Sequence, residues 1–266
     1  MPQYRDISVN VCTRGPAGTQ TLEEYGVAID ESRRTVTCWI SSEERKEFVI
    51  TAFNQSYTQA VRCLTRIDGR SMDHALWRPR EFGSIEGAYL SENTLVPFVF
   101  ARIQVTDEEN MLNGPPDMEA LGTISFAVLR CTVAVEGLNY AQKEDEFDLH
   151  DIGPIHERAK KLGGHCVSLG DETQAAPALT ALTHDLDNED SPYCVFVFRY
   201  RPRDLLKAQR IIPHYRQTAT AGPSQSVKAV SRNGSGHGLK GAKRVHESNT
   251  STFHDLSSNS ELLDLS

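Results

Sequence analysis

From Gln3 to Pro202 the chain repeats one arrangement: five to nine residues of alternating apolar and polar character, followed by a turn. A period of two sends successive side chains to opposite faces of an extended strand, so each segment can bury one face and wet the other. The clearest instance is Cys194-Val195-Phe196-Val197-Phe198-Arg199-Tyr200-Arg201, closed by Pro202. After Pro213 the alternation stops. The pattern predicts one all-β domain over residues 1–213 and a disordered polar tail over residues 214–266.

Ile7-Ser8-Val9-Asn10-Val11 is an alternating strand that ends at Gly15-Pro16-Ala17-Gly18. Glu24 to Asp30 sets Tyr25, Val27 and Ile29 on one face. Thr35 to Ile40 sets Val36, Cys38 and Ile40 together with Trp39 opposite. Phe48 to Phe53 is apolar on both faces, which predicts a central strand. Ala60 to Ile67 runs into Asp68-Gly69, the strongest short hairpin signal here, with a return strand near Arg70 to Leu76. Leu95 to Val105 and Leu121 to Val135 continue the pattern.

Helical signals are few. Pro154 to Lys161 has Pro at its start and Lys before Gly163-Gly164, and Pro202 to Gln209 also begins at a Pro. About eight or nine short strands with two short helices predict a two-sheet antiparallel β-sandwich, a closed barrel being the alternative.

Charge divides unevenly. Up to Pro213 there are 22 Lys and Arg against 32 Asp and Glu, a net of −10, while the remainder is weakly basic. An acidic domain is a poor partner for a phosphodiester backbone, so nucleic acid is not the expected ligand. No apolar run approaches the ~18 residues of a membrane-spanning helix. The first residues, Met1 to Asp6, carry no apolar signal segment, so an intracellular, non-secreted protein is expected. The six cysteines form no C-x-x-C pair, and five lie inside strand patterns, as reduced core thiols would.

Nothing in the domain lines up as a catalytic or metal-binding constellation, and no catalytic residue, metal ligand or cofactor is expected. Asp185-Leu186-Asp187-Asn188-Glu189-Asp190 imitates a calcium loop, but Asp190 and Phe196 stand where such a loop needs Gly and Glu. Asp148, His150, Asp151 and His156 share no helix face, and His165-Cys166 is mere adjacency. Gly234-Ser235-Gly236-His237-Gly238 follows no strand and reads as linker.

Two tryptophans carry the ligand-binding reading. Trp39 points away from Val36, Cys38 and Ile40, and Trp77-Arg78 continues through Pro79 to Arg80, an aromatic among cations. Trp39, Trp77 and Arg78 are therefore candidate contacts for a sugar or peptide. In the tail, Leu262, Leu263 and Leu265 form a short acidic-leucine motif that could dock as an extended peptide.

The expected function is a non-enzymatic interaction domain with a protein partner. The alternatives are a carbohydrate- or other ligand-binding sandwich, and a hydrolase using carboxylates from Asp107-Glu108-Glu109 and Asp148 to Asp151.

The strand blocks also resemble a functionally uncharacterised domain family of mushroom-forming fungi. The likeness rests on Glu24-Tyr25 with Val27, then Thr35 to Ile40, Ser42-Glu43, and Lys46 before Phe48. It continues through Asp68-Gly69, Pro97-Phe98-Val99-Phe100, Thr106-Asp107, Leu121-Gly122, Ile155-His156-Glu157-Arg158 and Gly170. Phe196 to Pro202, with Asp204 and Leu206, completes it. Arg70-Ser71-Met72-Asp73 departs from the glycine pair the family tends to have after the hairpin. The resemblance implies a β-rich domain and a fungal source, and it carries over no catalytic residues.

Overall fold

Alternation becomes nineteen strands and one helix, numbered along the chain, in the computed structural model, which describes residues 2–16, 18–72, 74–107, 119–139, 154–156 and 164–213. A first open sheet runs β1 (Gln3–Tyr4), β2 (Ile7–Gly15), β6 (Glu47–Asn54), β12 (Thr94–Arg102) and β11 (Gly87–Ser91). To it β3 (Gly18–Thr21) adds on β2, β10 (Phe82–Ile85) on β6, and β16 (His165–Leu169) and β17 (Thr173–Gln174) on β12.

The second open sheet runs β4 (Glu24–Asp30), β5 (Thr35–Ser42), β19 (Cys194–Pro202), β14 (Thr123–Asn139), β7 (Ala60–Ile67) and β8 (Arg70–Ser71). There β9 (Ala75–Trp77) pairs with β7, and β18 (Leu179–Asp185) with the far half of β14. A short pair of β13 (Val105–Thr106) and β15 (Ile155–His156) stands apart, and α1 (Arg203–Ala208) follows β19.

Register explains the core. On the second sheet Val36, Phe196, Phe126 and Thr65 form one row, and Cys38, Phe198, Ile124 and Ile67 the next. On the first, Val11, Ile50 and Ile85 line up, as do Val9 and Ala52. Apart from Thr65, these residues belong to one hydrophobic cluster drawn from both sheets. Phe48 stacks on Phe100 at 4.3 Å between ring centres, and Phe100 of the first sheet meets Tyr200 of the second at 5.1 Å. Each such buried ring or branched chain contributes about 1.5–3 kcal/mol. All six cysteines are buried, and burial pushes the Cys38 and Cys194 thiols up to about 12, so they are protonated core side chains.

The strands of β5, β6, β7 and β19 fall where alternation puts them, and Asp68 and Gly69 take the positive φ values (54° and 81°) that their hairpin turn requires. Four expectations need correction. The strands number nineteen among the described residues rather than eight or nine, and they run from two to seventeen residues. The second sheet is mixed rather than antiparallel, because β19 lies parallel to β5 from Val195 opposite Thr35 to Pro202 opposite Ser42.

The helix expected from Pro154 is instead a strand at its start: Ile155 and His156 pair with Val105 and Thr106, and residues 157–163 lie outside the described ones. Of the two helices expected, one is found among the described residues, α1, which begins after Pro202 at φ −50° and carries Asp204 in its first turn and Lys207 in its last. Finally, a bulge between Tyr25 and Ala28 breaks the alternation of β4, so Tyr25 is buried whereas Val27 and Ile29 are half exposed.

No helix among the described residues is long and apolar enough to cross a membrane.

Candidate functional site

Trp39 occupies an outward position of β5, as alternation requires, and its surroundings are chemically distinct. The outer face of the second sheet is built from small side chains: Thr35 and Thr37 of β5, Val195 and Val197 of β19, Ser125 and Ala127 of β14. Arg199 stands directly opposite Trp39 in the parallel pair, with Arg201 two residues on. Both guanidinium groups lie over the indole, at 5.5 and 5.4 Å from its ring centre. Arg66 of β7 adds a third cation, beside Ser125 on the same face. The indole edge packs against a small cluster of Tyr25, Leu206 of α1 and Ile212, which fixes its orientation.

Several arginines elsewhere are matched to acids. Arg14 pairs with Glu86, Arg62 with Asp185 and Glu189, Arg102 with Glu44, and Arg130 with Asp187. Among the described residues no carboxylate pairs with Arg66, Arg199 or Arg201. These pairings also account for the calcium-like run, whose Asp185, Asp187 and Glu189 are engaged by Arg62 and Arg130. The Arg130 guanidinium holds the Asp187 carboxyl below its ordinary range. Among the described residues no group of three or more His, Cys, Asp and Glu side chains is placed to hold a metal ion.

The other tryptophan sits elsewhere. Trp77 is 4% exposed, 5.5 Å from Phe126 between ring centres and opposite Val61 in the β7–β9 pair, so it belongs to the core. Its indole fills the space where Gly83 has no side chain: a Cβ on Gly83 would come within 1.6 Å of Nε1. Arg78 is turned back on Glu81, which accepts its backbone N–H at 2.5 Å and pairs with its guanidinium at 3.6 Å. The cation that does lie among aromatics is Arg80. With φ of 63° it projects its guanidinium over Phe53 (5.1 Å) and Tyr57 (4.8 Å), beside the exposed Phe82. Of the Trp-Arg-Pro-Arg string, Trp77 is thus core and Arg80 rather than Arg78 lies over neighbouring rings.

Residues 7–215 match the family described as Domain of unknown function (DUF7918). The chain belongs to that family. No curated protein and no solved structure matches it. The DUF7918 match runs from β2 through α1, so the Trp39 face lies within it.

The DUF7918 domain also holds a buried polar seam between its sheets. Asp68, at the β7–β8 turn, accepts hydrogen bonds from the Tyr200 hydroxyl (2.5 Å) and from the backbone N–H groups of Gly122 and Val167 (both 2.7 Å). Arg70 donates to the Val167 carbonyl at 2.6 Å. Two residues back along β16, His165 Nδ1 lies 2.8 Å from the Ser42 hydroxyl of β5. Burial lowers the His165 pKa, and burial raises that of Asp68.

A serine beside a histidine invites a hydrolytic reading, yet both side chains are under a tenth exposed. The space next to them, between Ile103, Leu121 and Tyr200, is about 10 Å³, room for one water at most. The seam fastens β16 of one sheet to β5 and β7 of the other.

A shallow open groove of about 660 Å³ runs past Arg102, Gln104 and Ser168. Among its described lining residues the sole acid is Glu44, already paired with Arg102 at 3.3 Å. Of the loop carboxylates a hydrolase would need, Asp107 alone is described; Glu108, Glu109 and 148–151 lie outside the described residues, as do Leu262, Leu263 and Leu265.

Proposed function

We propose that residues 1–213 form a two-layer β-sandwich acting as a non-enzymatic intracellular interaction domain, which presents the Trp39 face to a protein partner. The observation that carries this reading is the arrangement of Trp39, Arg199 and Arg201: a fixed indole clasped by two guanidinium groups without acidic partners among the described residues. Aromatic and arginine side chains held rigidly on a flat surface are the composition that protein interfaces favour. The intracellular assignment draws on the six buried thiols and the fungal assignment on the family likeness.

In the same reading Leu262, Leu263 and Leu265, within the segment 214–266 that lies outside the described residues, offer a second, independent docking peptide. The test is affinity capture from the source organism's cells with the native chain, with Arg199→Glu/Arg201→Glu, and with a chain ending at Pro213. Partners that the charge-reversed protein loses and the shortened one keeps belong to the Trp39 face. Identical partner sets for all three proteins would overturn both assignments.

A second reading, a carbohydrate- or other ligand-binding domain, is favoured by the corner where Arg80 lies between Phe53 and Tyr57 with Phe82 exposed at 63%. Rings that stack on sugar C–H faces beside a planar donor suit such a ligand. Glycan-array binding that Phe82→Ala abolishes is its test.

A further inference from the structure

We propose that the Trp39 face receives an acidic, extended peptide whose Asp or Glu side chains alternate along its sequence and are held by Arg199, Arg201 and Arg66. This inference rests on the interaction reading above and adds the chemistry of the partner.

Charge is the first argument. The chain carries 36 Asp and Glu against 28 Lys and Arg, so acids to neutralise an arginine are plentiful. Arg14, Arg62, Arg102 and Arg130 have found them. Arg199 and Arg201, both drawn onto one indole, repel each other, and the fold supplies them with no described carboxylate. A site that gathers like charges and leaves them uncompensated is relieved when an anion arrives.

Preorganisation is the second. A guanidinium stacked on an aromatic ring keeps its donor fork at the ring's edge and loses rotamer freedom before any ligand binds. A carboxylate meeting such a fork gains a charge-assisted hydrogen bond with little further ordering of the protein.

Spacing decides the shape of the ligand. Arg199 is opposite Thr123, and Arg66 is opposite Ser125, so the two arginines are two strands apart and two residues out of step. With strands about 4.8 Å apart and a rise of about 3.4 Å per residue, their backbones are about 12 Å apart. An extended peptide covers that distance in about four residues, and its side chains face one surface at every second position. Acids at i, i+2 and i+6 therefore meet Arg201, Arg199 and Arg66 in turn. Val197, Thr123 and Ser125 between them are small enough for a peptide backbone to lie across. A long phosphate backbone is disfavoured, because it would continue past three cations onto a domain of net negative charge.

The experiment uses the full-length chain and a labelled peptide of alternating Glu and Ser, followed by fluorescence anisotropy and by tryptophan emission. The second tryptophan, Trp77, is buried, so a change in emission reports on Trp39. Expected results are saturable binding of the Glu peptide, at least tenfold weaker binding of its Gln counterpart, and loss of the emission change in Trp39→Phe. Arg199→Glu/Arg201→Glu, with an unchanged melting profile, weakens the Glu peptide at least tenfold. Arg45→Glu, at the exposed β5–β6 turn, stays within twofold.

Equal binding of Glu and Gln peptides would overturn the proposal, as would indifference to the double charge reversal. Tenfold tighter binding of a phosphoserine peptide or of single-stranded DNA would do the same and assign the face to phosphate. If no acidic peptide binds, yet charge reversal still removes a captured protein partner, the acidic class falls and the interaction reading stands.

Discussion

Tyr200 donates its hydroxyl hydrogen to Asp68 across 2.5 Å in the interior, joining the central strand of the second sheet to the β7–β8 turn. The same carboxylate takes N–H bonds from Gly122 and Val167, so one buried side chain organises three segments. Asp68→Asn keeps an oxygen for Tyr200 and Gly122 but turns an amide donor toward the Val167 N–H. An unmade bond of that kind costs about 1–3 kcal/mol. Urea denaturation should show a loss of that size for Asp68→Asn, and a loss of about 1–2 kcal/mol for Tyr200→Phe. No change in either midpoint would deny the seam a structural role.

His165 should make stability depend on pH. Burial holds its pKa below the ordinary value of about 6.5, with Glu44 raising it and Arg102 lowering it in smaller measure. The unfolded chain therefore binds more protons than the fold as pH falls through about 6.5, and stability is lost in that direction. Asp68, raised by burial, acts with the opposite sign, since there the fold binds the proton more tightly. The clean measurement is a difference. The native protein should lose melting temperature relative to His165→Asn below about pH 6.5 and match its slope above it. Parallel profiles throughout would mean that His165 is not held neutral.

Much of the fold was legible because the period of two reports which face a residue takes. It assigned the inward set of β5 and the outward position of Trp39, and the Asp68-Gly69 pair located its own turn. Period reports nothing about partners, so the parallel union of β5 with β19 was invisible, and with it the two arginines that Trp39 gathers. Trp77 misled for a different reason. β9 has three residues, too few to show alternation, and its burial follows from register against Val61 on β7. At Ile155 the helix-starting signal of Pro154 lost to pairing with Val105, a tertiary choice overriding a local one.

Gly83 carries a steric demand that its neighbour Trp77 imposes. A methyl at that position would enter the indole, whose ring is walled in by the core. Gly83→Ala is expected to cost about 1–3 kcal/mol and to alter the emission of Trp77. Gly15→Ala, where the nearest atom is 3.9 Å away, should stay within about 0.5 kcal/mol. Equal melting temperatures for the two variants would contradict the packing.

The two faces of β5 should respond oppositely to charge. Ile40 is fully buried, and a carboxylate there has no water and no counterion, so Ile40→Asp should abolish soluble expression. Thr37→Asp, on the outer face, should express as the native protein does and melt within a few degrees of it. The reverse ranking in a solubility assay would invert the strand.

The parallel union of β5 with β19 has a consequence for the order of events during synthesis. β5 leaves the ribosome early and must wait for β19 with nearly the whole domain still to be made. β14 waits as well, because β19 separates it from β5. Until Pro202 has emerged, the second sheet is two unjoined halves with raw inner edges. Closure of the second sheet is therefore late, and slow as for other topologies dominated by distant pairings. During that interval the nascent chain has most need of a chaperone, and a ribosome stalled ahead of Cys194 would release a product unable to close its second sheet.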